Sequence, residues 1–301
     1  MGHYEQMEDD LKTLESTVKL DWLLDNTHPI RQDTLEKYYS KINRIAYKRF
    51  HSKDGFMHVG VSLGNTAKEE DLYYQTDQIE KYLKSAKNVL ELGSGQGANI
   101  GLLAAKVPDV QFTGVDLRPT MAKKNRRDNI KLVKQDWHDL SRFKDASFDV
   151  VYAIETICYS ADKSKVFDEI HRVLKKGGVF IMYDVYSPKE FDRLDDIEQK
   201  VLTLICKGCS SDVLETIKSV TSKIEQAGFS KIKSNDLTAR IAPGWVRLKR
   251  GASMIIHRKI LAKIAFRVLP KSFLGNVVVG YVGHSGIMNR VVLYHEHIYK
   301  K

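Results

Sequence analysis

The sequence predicts an α/β fold built on a mostly parallel β-sheet. Short apolar runs alternate with amphipathic stretches from Asn88 onwards, and the first run leads directly into a glycine-rich turn. Strands that are apolar at consecutive positions are buried on both faces, as in parallel sheets covered by helices on both sides. With 301 residues, of which 43% are hydrophobic, the chain is long enough to bury such a core.

Seven strands and five helices are predicted from residue 88 onwards. The strands cover residues 89–92, 110–115, 130–133, 148–154, 178–183, 231–237 and 290–299. The helices cover residues 99–106, 119–127, 163–174, 188–205 and 212–227. The stretch between the last two strands is too long for a plain loop. The pattern therefore predicts a seven-stranded sheet with a folded cap inserted before its last strand.

The part of the chain before residue 86 is predicted to form a mostly polar, helical lid. Thr66 followed by Glu69 has the spacing of an N-terminal capping box, which predicts a helix over 67–84. The predicted units are the N-terminal lid (1–85), the core (86–237), a basic cap (238–287) and the last strand of the core sheet (288–301).

The positive charge of the chain is concentrated near its end. The formal net charge is +10, from 48 Lys plus Arg and 38 Asp plus Glu. Residues 237–301 contain 12 basic side chains and one acidic side chain, a balance of 12 − 1 = +11, so residues 1–236 carry 10 − 11 = −1. The predicted core is therefore nearly neutral, and any attraction to an anionic partner is a property of the cap.

The composition excludes several classes of protein. With 19 Gly, 6 Pro and 29% charged residues, the chain is neither collagen-like nor intrinsically disordered. Three cysteines cannot form a disulfide framework, and the start has no apolar signal-peptide core. No apolar run approaches the roughly 18 residues of a membrane-spanning helix. We expect a cytoplasmic protein, at most peripheral to a membrane, and leave homo-oligomerisation open.

The first strand carries the strongest motif. The sequence from Val89 to Gly97 is VLELGSGQG, whose glycines fit G-x-G-x-G rather than the dinucleotide pattern G-x-G-x-x-G. Glycines let a backbone bend sharply and approach a ligand where a Cβ atom would clash. A tight turn without a ligand is the alternative that this motif alone leaves open.

Polar residues at the ends of the next three strands support a ligand site. Asp116 ends the second strand, 19 residues after Gly97, where a carboxylate can accept both hydroxyl groups of a ribose. Asp136 and Trp137 follow the third strand, and Glu155 follows the fourth. Open α/β sheets bind ligands at the carboxyl ends of their strands. We therefore expect these residues around one crevice.

On these motifs, residues 83–185 resemble the Rossmann-like class I methyltransferases that use S-adenosylmethionine. The resemblance implies that Glu91 and the glycine turn line the methionine part of this cofactor and that Asp116 binds the ribose. It also implies adenine contacts from Leu117, Asp136 and Trp137. The glycine spacing makes an NAD enzyme the weaker alternative. The candidate cofactor-binding residues are Glu91, Gly93, Ser94, Gly95, Gly97, Asp116, Leu117, Gln135, Asp136, Trp137 and Ile154.

Two segments narrow the resemblance to methyltransferases that act on sterols, tocopherols and prenyl diphosphates. Residues 152–160, with the sequence YAIETICYS, are similar to the sterol C-methyltransferase segment YAIEATCH. Tyr38 and Tyr39, followed by residues 56–60, are similar to the aromatic region near that family's N-terminus. Tyr159 stands where the family has His, and this departure concerns the acceptor rather than the cofactor.

The candidate catalytic residues are Glu155, Tyr39, His58 and Tyr159. Methylation of an alkene leaves a carbocation, which a carboxylate and aromatic faces stabilise and which a base resolves by removing a proton. Other interpretations stay open, with Glu155 as a cofactor contact or structural hydrogen bond, His58 as a turn residue and the tyrosines as packing.

The cysteines do not indicate separate chemistry. Ile157 precedes Cys158, whereas RNA cytosine-5 methyltransferases have Pro before their nucleophilic cysteine, so a catalytic Cys158 is disfavoured. Cys206 and Cys209 have metal-like spacing but no second pair, and no metal site is expected.

Several interpretations of segment 246–271 stay open. Ile256, Ile260, Ile264 and Val268 are four residues apart and share one face of a basic amphipathic helix. That face would cover the active site, contact an anionic membrane surface or accompany recognition of an anionic substrate group. Nucleic acid is the least favoured partner because aromatic residues are sparse in this segment.

The sequence thus predicts methyl transfer from S-adenosylmethionine to a small lipophilic acceptor, isoprenoid or sterol-like, with carbon favoured as the accepting atom. An O- or N-methyltransferase of a small natural product is the alternative enzyme. The alternative from another class is a non-catalytic S-adenosylmethionine-binding protein that docks on a membrane or nucleic acid through its basic tail.

Overall fold

Seven strands form one sheet in the computed structural model, which describes residues 2–24, 45, 47, 51–212 and 214–301. The strands are β1 (Asn88–Leu92), β2 (Gln111–Asp116), β3 (Ile130–Lys134), β4 (Phe148–Ile154), β5 (Leu174–Tyr186), β6 (Ser230–Asp236) and β7 (Leu293–Lys300). Their order across the sheet is β3-β2-β1-β4-β5-β7-β6. Strands β1 to β5 are parallel, whereas β7 is antiparallel to both β5 and β6. The predicted α/β class with a mostly parallel, seven-stranded sheet is confirmed.

Helices cover both faces of this sheet. In the described residues they are α1 (His3–Thr17), α2 (Asp21–Leu24), α3 (Tyr74–Glu80), α4 (Ala98–Lys106), α5 (Lys163–Val173), α6 (Asp196–Gly208), α7 (Ile217–Gln226), α8 (Thr238–Ile256), α9 (Lys259–Val268) and α10 (Lys271–Met288). None of these helices is both long and apolar enough to cross a bilayer.

Strand β1 lies inside the sheet, between β2 and β4, and its apolar side chains pack on both faces. Successive side chains of a strand point to opposite faces. Val89 packs into one hydrophobic cluster, whereas Leu90 and Leu92 pack into the other. The carboxyl ends of β1, β2 and β4 therefore meet at one edge of the sheet, in the middle of the molecule.

Several predicted helices differ in the structure. The helices predicted over 188–205 and 212–227 begin later, at Asp196 and Ile217. Residues 119–127 contain only a 3-10 turn, Lys123–Asn125. This stretch has four cationic side chains and one large apolar side chain, Met121, so it has no apolar face to pack. The predicted helix over 67–84 begins with a 3-10 turn, Glu69–Tyr73, before α3. The backbone N–H of Lys68 donates to Asp71 Oδ2 (2.8 Å) there, which moves the cap away from Thr66.

Three helices, α8 to α10, occupy the segment between β6 and β7. Helix α10 packs against α1, α6 and α8, which joins this segment to the N-terminal part of the chain. The boundaries of the lid, the core and the cap stay a prediction.

The predicted stripe of apolar residues in this segment is divided between two helices. Ile256 ends α8 and is buried, whereas Ile260, Ile264 and Val268 lie on α9 and are exposed. The stripe therefore does not cover a site. The small side chains on the opposite side of α9 are buried instead, because they allow that helix to pack closely against its neighbours.

Candidate active site

A cavity of about 540 Å³ lies at the carboxyl ends of β1, β2 and β4. One side consists of loop backbone and polar side chains at the strand ends, with Gly93, Ser94, Gly95, Asp116, Leu117, Trp137, Ile154, Glu155 and Tyr159. The other side is mostly apolar and comes from α6, α8 and α10, with Ile205, Ile241, Trp245, Leu248, Ile255, Val277 and Ile287. A volume of this size is typical of small-molecule sites.

The glycine turn supplies the polar side of the cavity with backbone. Gly93 has φ of +70°, and a Cβ atom there would lie 2.4 Å from Thr156 Oγ1. Gly95 has φ of +48°, and a Cβ atom there would meet only the Gly93 carbonyl oxygen, at 3.9 Å. The first glycine is therefore needed for packing against the end of β4, and the second leaves open space at the cavity.

Asp116 holds the turn in place from the end of β2. Its Oδ2 accepts a hydrogen bond from the Gly95 N–H (3.0 Å), and its Oδ1 accepts one from the Arg118 N–H (2.7 Å). A carboxylate has about four acceptor positions, so two remain for a ligand. Leu117 and Trp137 line the cavity beside this carboxylate.

Four other predicted cofactor residues lie outside the cavity lining. Glu91 is buried beneath the turn, and Gly97 immediately precedes α4, beside the Met121 side chain. The Asp136 Oδ1 accepts hydrogen bonds from the N–H and from Nδ1 of His138 (2.9 and 2.6 Å), and the His138 ring lowers the pKa of Asp136. The remaining residue is Gln135, whose side chain donates to the Asp139 carbonyl oxygen. Their roles stay predictions.

Glu155 occupies a strained position at the end of β4. It has φ of +48°, a conformation that a non-glycine residue adopts at a cost of about 1–2 kcal/mol. Its side chain lines the cavity, and its Oε1 accepts a hydrogen bond from the Val59 N–H (2.8 Å). Tyr294, on β7, lies beside the carboxyl group and favours its ionised form. Strain of this kind is typical of functional positions.

Two carboxyl groups near the turn are held in the neutral form by their surroundings. Burial raises the pKa of Glu91 to about 8, against the weaker opposing effects of Tyr152 and Asn99. Burial also raises the pKa of Glu155 to about 8, and the nearby carboxyl group of Asp184 adds to the shift. A cation placed in the cavity beside Glu155 would favour its ionised form.

His58 connects the loop before α3 to the glycine-turn region. Its Nδ1 lies 3.0 Å from the Val59 carbonyl oxygen, and its Nε2 lies 3.0 Å from Asn99 Oδ1. Burial lowers the pKa of His58, so the ring is neutral and has one N–H. Both partner atoms are oxygens that accept, so the neutral ring donates to one of them at a time, according to its tautomer.

Of the two predicted catalytic tyrosines, the structure describes one. Tyr159 lies in a 3-10 turn, Ile157–Tyr159, and lines the cavity. Tyr39 lies outside the described residues. Burial raises the pKa of Cys158 well above its usual value, which does not favour a thiolate. In the described residues no three His, Cys, Asp or Glu side chains are placed to hold a metal ion.

The structure brings in residues that the sequence did not indicate. Gln75 donates from Nε2 to the Tyr294 hydroxyl (3.1 Å) and to the Val59 carbonyl oxygen (2.8 Å), so it supports both neighbours of Glu155. Gln75 and Tyr294 are 219 positions apart, and nothing local in the sequence relates them. The apolar side of the cavity was also missed, although the apolar run over 277–282 was a signal for it.

The chain is similar to known methyltransferases. The family described as "Methyltransferase domain" matches residues 90–182. The chain is 27% identical over 200 residues to 24-methylenesterol C-methyltransferase 2 of Arabidopsis thaliana, covering 63% of this chain and 55% of that protein. It is 29% identical over 212 residues to sterol 4-C-methyltransferase strm-1 of Caenorhabditis elegans, covering 66% and 61%. The chain thus spans less than two thirds of these relatives.

Solved structures share the fold at lower sequence identity. Geranyl diphosphate C-methyltransferase from Streptomyces coelicolor A3(2) superposes with a TM-score of 0.63 at 13% identity, over 91% of this chain and 98% of that chain. The cyclopropane synthase MmaA2 from Mycobacterium tuberculosis superposes with a TM-score of 0.66 at 14% identity, over 85% and 93%.

The fold, the glycine turn and the match over residues 90–182 together define a class I methyltransferase domain, whose cofactor is S-adenosylmethionine. Within this class, the chain is similar in sequence to sterol C-methyltransferases.

Proposed function

We propose that the protein transfers a methyl group from S-adenosylmethionine to a small lipophilic acceptor of the isoprenoid or sterol type. One observation carries the proposal: the glycine turn and Asp116 face an apolar surface from α6, α8 and α10 across a single cavity. The similarity to sterol C-methyltransferases supports carbon as the accepting atom.

The residues at the polar side fit the cofactor. Gly95 leaves open space where any other residue would place a Cβ atom. The Ser94 hydroxyl is buried and has no hydrogen-bond partner in the described part of the chain. We assign Asp116 to bind the ribose hydroxyl groups and Leu117 and Trp137 to contact the adenine. The glycine turn would then contact the methionine part of the cofactor. When bound, S-adenosylmethionine supplies an electrophilic methyl group.

The opposite side of the cavity fits an acceptor with little charge. Among its described lining residues, the cations are Arg118, beside the cofactor end, and Arg247. The Arg247 Nη2 already donates to the His51 carbonyl oxygen (3.0 Å). Burial lowers the pKa of His51 to about 4, so its ring is neutral. A multiply charged acceptor would find few partners here, whereas a hydrocarbon would be desolvated by the walls, and desolvation favours methyl transfer.

Glu155 is the group that we assign to the chemistry. Glu155 lines the cavity at the end of β4, beside the glycine turn that follows β1, and we place the cationic intermediate next to it. The ionised carboxyl would stabilise that charge and then take the departing proton. Tyr159 and, from the sequence, Tyr39 are assigned to aromatic stabilisation of the same charge. His58, whose ring nitrogens both face protein groups, would position the loop that donates to Glu155.

The experiment is a transfer assay with methyl-deuterated S-adenosylmethionine and a library of sterols, prenyl alcohols, prenyl diphosphates, phenols and amines. We expect a mass gain of one labelled methyl group in an apolar acceptor, with fragmentation that places it on carbon. Label on oxygen or nitrogen would establish the alternative enzyme. Cofactor binding with no transfer to any compound would refute catalysis and leave a binding protein.

A lipophilic acceptor resides mainly in membranes, so the proposed activity requires access to a membrane surface. Segment 246–271 is the candidate contact, since it combines exposed apolar residues with the basic charge of the chain. We infer a peripheral association.

A further inference from the structure

Helix α9 has an exposed apolar face. Ile260 is 78% exposed, Ile264 is 54% exposed and Val268 is 68% exposed. These residues are four apart, so they lie in one line along the helix, with Leu261 beside them. Ala262 and Ala265 are buried on the opposite side. Contiguous exposed apolar side chains of this size mark an interaction surface.

Cations flank this apolar line. Lys259, Lys263 and Arg267 are also four apart and exposed, and Arg258 precedes them. None of these four forms an ion pair with any described residue, whereas Lys249 on α8 pairs with Asp10 (2.5 Å). No Asp or Glu occurs from residue 237 to residue 295. The cations of α9 are therefore available to an external anionic group.

We propose that α9 is a docking helix that lies in the surface of an anionic lipid bilayer. Its apolar line would enter the boundary between headgroups and acyl chains, and its lysines and arginines would contact the headgroups. A second copy of the same face would bring like charges together, and nucleic acid offers no hydrocarbon for the apolar line. A bilayer with anionic lipids satisfies both features of the helix.

The position of α9 connects this surface to the cavity. Gly251, Met254 and Ile255, at the end of α8, line the cavity, and α9 begins four residues after Ile255. Met254 is 59% exposed, so the cavity reaches the surface next to α9. Docking would place this opening against the bilayer. The inference rests on the proposed function in this respect: a lipophilic acceptor would enter from the membrane without crossing water.

The experiment measures sedimentation of the 301-residue chain with vesicles of phosphatidylcholine, alone or mixed with phosphatidylserine. We expect binding to the mixed vesicles that weakens as salt is added, and little binding to phosphatidylcholine alone. The double variant Ile260→Glu/Ile264→Glu should weaken binding at least about tenfold, through loss of apolar burial. The control is Ile232→Glu, a half-exposed isoleucine on β6, which should bind like wild type.

A second pair of substitutions tests the charge separately. Lys259→Gln/Lys263→Gln should weaken binding about fivefold per lysine and reduce the salt dependence, because each lysine near the surface attracts anionic lipid. These residues are exposed, so this pair decides the question if the glutamate variant does not fold, as judged by circular dichroism.

Several outcomes would overturn the proposal. Equal binding of wild type and both double variants, or no binding to the mixed vesicles, would remove α9 as a membrane contact. A dimer that the glutamate substitutions dissociate, or DNA binding that they abolish, would assign the face to another partner. The assay needs no methyl transfer, so failure of the docking proposal and failure of the proposed function are observed separately.

Discussion

The two sides of the cavity differ in the chemical groups that line them. The polar side, which we assign to the cofactor, consists of backbone and polar side chains at strand ends, held by hydrogen bonds such as that from the Gly95 N–H to the Asp116 carboxylate. The apolar side, which we assign to the acceptor, consists of side chains from α6, α8 and α10. A backbone site binds one ligand with defined hydrogen bonds, whereas an apolar site selects by shape and desolvation. This difference explains why the cofactor could be predicted from a sequence motif, whereas the acceptor could not.

The largest effect is expected at Glu155, which lines the cavity at the end of β4. Glu155→Gln should lower turnover about 10²–10⁴-fold, the usual contribution of a general acid or base. Cofactor affinity should stay near the wild-type value. Turnover of wild type should rise with pH towards about 8, because only the ionised carboxyl takes a proton. Steady-state kinetics and calorimetry check these expectations.

The control for this substitution is Glu225→Gln, at the exposed end of α7. It makes the same chemical change far from the cavity, so its turnover should equal that of wild type. Equal turnover of Glu155→Gln would make Glu155 a structural residue and remove the catalytic role that we assign to its carboxyl group.

The sequence assigns both Asp116 and Asp136 to the cofactor, whereas only Asp116 lines the cavity. Asp116→Ala should weaken S-adenosylmethionine binding by about 1–3 kcal/mol, through loss of a charge-assisted hydrogen bond. Asp136→Ala should change it by less than about 0.5 kcal/mol, because Asp136 is engaged with His138 outside the cavity. Calorimetric titration distinguishes the two. An equal loss in both variants would place Asp136 in the cofactor site after all.

Much of the fold could be predicted from the sequence because its signals are local. Strand β4 has the predicted bounds, and the glycine turn, Asp116 and Trp137 meet at one crevice as expected. The support of Glu155 by Gln75 and Tyr294 was not predictable, since it depends on the pairing of β7 with β5. The exposure of Ile260 was also missed, because a helical stripe indicates a face but not its partner.

Substitution of two glycines tests whether Gly95 is needed for ligand binding or only for the backbone conformation of the turn. Gly95→Ala and Gly177→Ala both place alanine at positive φ, at +48° and +79°. Both should therefore lower the free energy of unfolding by about 1–2 kcal/mol. Only Gly95→Ala should also weaken S-adenosylmethionine binding, because its Cβ atom would occupy the open space of the cavity. Thermal unfolding measures the loss of stability, and calorimetry measures cofactor affinity. Unchanged affinity of Gly95→Ala would contradict the placement of the cofactor against the glycine turn.

The smallest effect concerns stability against pH. The pKa of Glu91 is about 8 in the folded protein and 4.5 as a free group, so the folded state binds the extra proton between these values. Stability should therefore fall as pH rises in this window. The buried histidines, with lowered pKa values, oppose this trend only below about pH 6.5.

The clearest window is thus pH 6.5 to 8. There, wild type should lose at least about 1 kcal/mol of unfolding free energy, and Glu91→Gln should lose less. Urea unfolding at several pH values measures the slope. An identical slope in both proteins would show that Glu91 is ionised throughout.

The most direct test of the central claim follows the methyl group itself. The protein is incubated with tritiated-methyl S-adenosylmethionine and a sterol-rich lipid extract, and the label is partitioned between water and an organic solvent. We predict that wild type transfers label to the organic phase and that Glu225→Gln transfers an equal amount. Glu155→Gln should transfer almost none. Label that stays in the aqueous phase, with cofactor binding intact, would contradict methyl transfer to a lipophilic acceptor.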